Sequence, residues 1–180
     1  MARQHRGKDW PGLRLRPAER GEGEHLAAIA FEAWQRDLRP YLSGPAADSA
    51  AERHRLKSIV TTLFERIIVA EAAGVILGFG ARSRGRAYIP YLFVAPNAQN
   101  RGIGTLLLHR LEALFELEGQ DRVELDTLSD NVRAVRFYQH QGYRILALKR
   151  SGATENDETS VRLEKQLSPY RGAILDEDGN

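Results

Sequence analysis

The chain has 180 residues, enough for one domain with a sizeable core and too few for two ordinary ones. Its 26 Lys and Arg nearly balance 24 Asp and Glu, leaving a net charge of +2, so charge alone implies no wholesale attraction to nucleic acid or membrane. There is no cysteine, which excludes disulfides, thiolate metal sites and a cysteine nucleophile.

Residues 1–12 mix charge with Gly and Pro and show no period, so a flexible arm is expected. That start holds no apolar run of signal-peptide length, and no later run of about 18 apolar residues offers a membrane span, so a cytoplasmic protein is the expectation. Leu13 and Leu15 alternate with Arg14 and Arg16 before Pro17, which predicts a short strand with one face buried. Leu26, Ile29, Ala30, Ala33 and Trp34 recur at helical spacing over residues 20–34; a Pro-containing loop is expected over 37–45, and a second helix over 48–64.

The texture then turns β-branched. Residues 66–71 and 75–81 predict a hairpin across Ala72-Ala73-Gly74, and residues 87–94 predict a third strand. A helix follows over 102–118, a strand over 122–127, a helix over 131–141, a strand over 143–149, a polar turn over 151–158 and a last strand over 159–167. The tail, 168–180, ends acidic and is expected to fray. The order is β-α-α-β-β-β-α-β-α-β-β. Its strand-turn-helix-strand centre calls for a right-handed crossover that sets the strand at Val94 parallel to the strand at Leu125.

The stretch Gln99 to Gly104, QNRGIG, joins that third strand to the helix after it. Two glycines two apart allow positive φ and leave backbone N–H groups uncovered at a helix start, where unpaired donors and the dipole favour an anion. Glycine at such a junction also serves simply to make a turn. A second constellation, Asn131, Ala134, Phe137, Tyr138, Gly142 and Tyr143, follows one helix and one strand later.

Two blocks, LFVAPNAQNRGIGTLLL and NVRAVRFYQHQGYRI, make the chain resemble the GNAT N-acetyltransferase superfamily over residues 13–167. The resemblance implies an α/β (α+β) single domain: a mixed, mostly antiparallel twisted sheet with helices on both faces and a splayed central pair of parallel strands. It implies acetyl-CoA as cosubstrate, no metal, and direct attack by a primary amine on the thioester in a ternary complex. The acceptor is a small-molecule or peptide amine, with neither nucleic acid nor membrane as partner and a homodimer as one arrangement. Main chain of Leu92, Phe93 and Val94 would hold the pantetheine arm, with the Val94 N–H polarising the thioester carbonyl. Gln99, Asn100, Arg101, Gly102, Ile103, Gly104 and Thr105 would wrap the pyrophosphate.

Asn131 reads either as an N-cap or, by the resemblance, as a contact to the pantetheine amide. Tyr138, seven residues on, returns to the same helix face, and the matched position makes it the general acid for the departing thiolate, against the ordinary reading of a core tyrosine. Asp126 stands where some members carry a glutamate base; a water chain, or a plain surface charge shared with Glu124, is the other reading. His5, His25, His54, His109 and His140 lack ligand spacing. Trp34, Tyr41, Tyr88 and Tyr91 fit either an acceptor pocket or ordinary packing. The alternative function is a catalytically weak coenzyme A sensor or interaction module of the same fold.

Overall fold

The computed structural model describes residues 10–150 and 159–168. Most of the expected arm, the turn over 151–158 and the tail beyond Ser168 lie outside the described residues. The order of elements is β1 (Arg14–Pro17), α1 (Gly23–Asp37), α2 (Ser49–Leu63), β2 (Ile67–Ala72), β3 (Val75–Ala81), β4 (Tyr91–Val94), α3 (Ile103–Leu117), β5 (Arg122–Leu128), α4 (Val132–His140), β6 (Arg144–Arg150) and β7 (Thr159–Gln166).

The strands form two antiparallel sheets, β1-β2-β3-β4 and β5-β7-β6. They meet through one parallel bridge, Tyr88 to Glu124, where Ile89 N–H donates to Glu124 O at 2.9 Å and Glu124 N–H to Ala87 O at 3.0 Å. The expected strand 87–94 is therefore broken. Pro90 follows the bridge; it has no N–H to give a ladder, and β4 beyond it pairs only with β3. The central parallel pair is present but parts almost at once.

Every residue of β2 is buried, as is β3 after Val75, because helices cover these strands. α1 contributes Leu26, Ala30, Phe31 and Trp34 to the core, and α3 contributes Leu107, Leu108, Leu111 and Phe115. α3 comes close to the sheet because β3 presents glycine to it: a Cβ on Gly80 would lie 2.7 Å from Leu111 Cδ1. Strand alternation then sends Leu92 and Val94 to the α3 side, and Tyr91 and Phe93 to the side of α1 and α2.

α1 runs three residues past its expected end, to Asp37, because Leu38 N–H closes a last turn on Trp34 O; Pro40 forbids further helix. The expected loop that follows is two short 3-10 turns, Arg39–Tyr41 and Gly44–Ala47. α2 starts cleanly: Asp48 Oδ1 accepts from Ala50 N–H at 2.8 Å and Ala51 N–H at 3.2 Å. Among the described residues no helix is long and apolar enough to cross a membrane.

Candidate active site

An open cavity of about 960 Å³ lies where the two sheets part. Every residue singled out above as catalytic or coenzyme-contacting lines it except Arg101 and Ile103. The Ile103 side chain is a core anchor, 1% exposed. Arg101 lies outward with its guanidinium 5.2 Å from the centre of the Trp10 ring.

One wall is the edge of β4. Ala95 N–H donates to Leu77 O at 2.8 Å, and the β3–β4 register has no bulge. Alternate residues of an antiparallel strand exchange both bonds with the partner, so Tyr91 and Phe93 spend theirs on β3 while Leu92 and Val94 turn theirs to the gap. Only two of the three expected main-chain positions thus face the cavity. Val94 O already accepts from Gln99 Nε2 at 3.2 Å, which leaves its N–H as the forward-facing donor.

The next wall is the start of α3. Its Gly102 cap has φ +84° and no side-chain cap, and Leu106 N–H is the first to find a helical acceptor, Gly102 O at 3.0 Å. Among the described residues, the N–H groups of Ile103, Gly104 and Thr105 have no partner, as the first turn of an uncapped helix requires. The left-handed turns come from Asn100 (φ +61°) and Gly102, not from both glycines; Gly104 is already helical. Gln99 and Asn100 are braced from the side: Arg133 Nη2 donates to Gln99 Oε1 at 3.1 Å and to Asn100 Oδ1 at 3.0 Å, and Gln99 Nε2 donates to Asp37 Oδ2 at 2.5 Å.

Asn131 is buried and occupied. Its Oδ1 accepts from Ala134 N–H at 3.1 Å and its Nδ2 donates to Asp37 O at 3.3 Å, so its side chain caps α4 and ties it to the end of α1. Tyr138 is on α4 with Phe137 and Tyr143 packed edge-on at 5.1 and 5.7 Å. Tyr143 is in turn fixed: its hydroxyl donates to the buried Glu112 Oε1 at 2.9 Å, while Lys165 Nζ donates to Oε2 at 2.7 Å. Among the described residues the Tyr138 hydroxyl has no hydrogen-bond partner. Burial, with a smaller push from Tyr88, raises its pKa above the ordinary phenol value, so it stays protonated at neutral pH.

Asp126 is placed in the wall, yet its geometry argues against the proton-acceptor role expected of it. Arg162 grips both oxygens, Nε to Oδ1 at 2.8 Å and Nη2 to Oδ2 at 2.9 Å; Tyr88 donates to Oδ2 at 3.1 Å and Lys149 to the same atom at 3.4 Å. Burial raises its pKa, but Arg162, Lys149 and the Tyr88 hydroxyl together outweigh that and hold the carboxyl below its ordinary value. Tyr88 is itself pushed up to about 12 by burial and the Asp126 charge. Glu124 shares the face of Asp126, as strand alternation requires, and Arg162 gathers it too at 3.2 Å. The cavity's other carboxylate, Asp37, is engaged by Gln99 and lies 3.7 Å from Arg133.

Sequence reasoning missed Asp37, Arg133, Arg162, Glu112 and Pro90. Two left a signal. Pro90 inside a strand pattern marks a break, and Arg162 stands at the alternate position that faces the carboxylates of β5. Asp37 and Arg133 reach the loop only through the tertiary fold. Among the described residues no group of three or more His, Asp or Glu side chains gathers as a metal site would need.

A crystal structure of a GCN5-related N-acetyltransferase from Rhodopseudomonas palustris superposes with a TM-score of 0.71 at 21% identity, covering 88% of this chain and 98% of that one. YncA from Salmonella typhimurium, solved with its cofactor acetyl-CoA, gives a TM-score of 0.65 at 17% identity over 91% and 99% of the two chains. Over 50 residues, 28% of this chain, the sequence is 42% identical to the uncharacterised protein YdhI of Bacillus subtilis (strain 168), and that match spans only 31% of YdhI. Residues 25–143, two thirds of the chain, match the family described as acetyltransferase (GNAT), and the chain belongs to that family.

Proposed function

We propose that the protein transfers an acetyl group from acetyl-CoA to a primary amine by direct attack within a ternary complex. The single observation that carries this reading is the convergence on one cavity of bare main-chain donors at Ile103, Gly104 and Thr105, the unpaired edge of β4 and the Tyr138 phenol. Acetyl-CoA, when bound, supplies the activated acyl group and a thiolate leaving group.

The residues then divide the work. The start of α3 has the donors and dipole end for a diphosphate, and Gly102 keeps that surface free of a side chain. Val94 N–H points into the gap, placed to stabilise negative charge on a carbonyl oxygen there. Tyr138 stays protonated at neutral pH, so its phenol O–H is placed to donate a hydrogen bond to the departing thiolate and to pass its proton as the C–S bond breaks, with solvent restoring it. Asn131 acts through position, holding α4 and therefore Tyr138 against the end of α1.

The acceptor's own proton leaves through solvent. Both carboxylates of the cavity, Asp37 and Asp126, are committed to partners, so neither is a free base. The alternative of a weak coenzyme sensor fits the same loop but gives the half-buried Tyr138 phenol, unpartnered among the described residues, no task.

The test is release of free thiol. Purified protein given acetyl-CoA and a panel of primary amines should liberate coenzyme A, and Tyr138→Phe should lower kcat about a hundredfold while calorimetry finds coenzyme affinity kept. An unchanged kcat removes Tyr138 from the acid role. No turnover with any amine, beside intact coenzyme uptake, favours the sensor.

A further inference from the structure

A second open cavity, about 410 Å³, borders the first and shares Leu38, Arg55 and Leu128 with it. Beyond those three its walls are mainly apolar: Trp34, Leu42, Pro45 and Ala46 come from the end of α1 and the two 3-10 turns that precede α2. Its two carboxylates are already used. Asp48 caps α2 through Ala50 and Ala51, and Glu52, 8% exposed, forms a two-point pair with Arg55, Nε to Oε2 at 2.6 Å and Nη2 to Oε1 at 2.5 Å. Arg55 is held on its other side too, its Nη1 donating to Tyr91 OH at 3.2 Å.

The main cavity carries the same charge message. Arg36, Arg55, Arg133 and Arg136 line it against Asp37 and Asp126 alone, both paired. A polycationic acceptor, such as a polyamine or an aminoglycoside, needs unpaired carboxylates for its remote ammonium groups, and its desolvation there would go uncompensated. A single amine on an apolar body asks for nothing the walls lack.

We propose that this second cavity is the acceptor's tail pocket and that the acceptor is a monoamine with an aromatic or branched-alkyl body. The reactive nitrogen lies in the main cavity, beside Val94, and the apolar body passes Leu38 and Leu128 into the tail pocket. Arg55, pinned between Glu52 and Tyr91, is a fixed part of the passage and adds no repulsion toward a neutral tail. The assignment rests on the acetyltransferase reading above.

Full-length protein is titrated with coenzyme A by calorimetry and then assayed with acetyl-CoA and 2-phenylethylamine, isopentylamine, ethanolamine or spermidine. The expected result is kcat/KM for 2-phenylethylamine at least about tenfold above that for spermidine or ethanolamine, the discrimination that burial of a phenyl ring supports. Ala46 is exposed at the pocket, so Ala46→Trp fills it from the rim without replacing a core side chain; that variant should shrink the 2-phenylethylamine to ethanolamine ratio by about tenfold. A readout independent of turnover is the fluorescence of Trp34, read in a Trp10→Phe background, which 2-phenylethylamine should perturb and spermidine should not. Equal or preferred use of spermidine, or an Ala46→Trp ratio unchanged from wild type, overturns the tail pocket. Coenzyme uptake with no amine accepted and no Trp34 response overturns it as well and leaves the coenzyme site standing. Absence of coenzyme uptake overturns the acetyltransferase reading itself.

Discussion

The two flanks of the main cavity are built on opposite plans. On one flank the start of α3 and the edge of β4 present main-chain N–H groups with no partner among the described residues, and no side chain caps the helix. On the other flank, Asp126, Arg162, Tyr88, Glu124 and Lys149 satisfy one another through side chains. An unsatisfied flank is ready to take a ligand's charge, because its donors lose only water on binding. A satisfied flank has little left to offer a ligand and instead fixes the spacing of the sheets. Charged residues in a cleft are therefore poor guides to chemistry unless their partners are known, and here the donors left without partners among the described residues belong to the backbone.

Three substitutions would break or sharpen that contrast. The largest effect is expected at Gly102, whose φ of +84° is strained for any β-branched residue although a Cβ there meets nothing within 4 Å. Gly102→Val should weaken coenzyme A binding at least about tenfold by calorimetry, because relief of the strain turns the Ile103 to Thr105 donors away. Affinity unchanged in the folded variant would show that the loop's backbone is not the anion site.

A smaller effect, on stability alone, is expected on the satisfied flank. Asp126→Asn removes the carboxylate that Arg162 grips at both oxygens, leaving it Glu124 alone, and should cost about 1–2 kcal/mol in urea unfolding at neutral pH, between the values for exposed and buried pairs. The sign with pH follows from the lowered carboxyl pKa. The contribution is full above the unfolded value of about 4 and is lost as pH falls through the folded value, so wild type and variant should converge in acid. If the proposed solvent route for the acceptor's proton holds, with Asp126 engaged by Arg162, the pH dependence of acetyl transfer should be the same in both. A variant that loses an acid limb of the rate profile would reinstate Asp126 as the base.

The smallest effect is expected at Gly104. Its backbone is helical, and an added Cβ would stand 3.6 Å from Phe137 Cζ and Val94 Cγ2, ordinary contact distances. Gly104→Ala should change stability by no more than about 0.5 kcal/mol by thermal unfolding and leave coenzyme affinity within about twofold. Because the two glycines stand two apart, one capping α3 with positive φ and the other in its first turn, the pair of variants isolates backbone conformation from steric room.

Much of the architecture was legible before any coordinates. Apolar periodicity marked the helices that became α1, α2, α3 and α4 and the strands of both sheets, since a helix or strand must bury one face and its sequence shows which. The glycine turn and the placing of Tyr138 on the helix that became α4 were legible through short local blocks, where neighbours in sequence are neighbours in space. Gly104 was misread, because spacing alone does not say which residue of a turn carries the positive φ and Asn100 tolerates it too.

The sequence by itself thus determined the kinds and order of the elements and the loop that makes a bare helix start, all set by interactions a few residues long. Only the tertiary structure decided where the sheets part, which of Leu92, Phe93 and Val94 turn their N–H groups to the gap, and that Asp126 is bound to Arg162, 36 residues away. The physical reason is that hydrogen-bond parity, desolvation and ion pairing depend on what stands across the gap, and residues distant in the chain supply it.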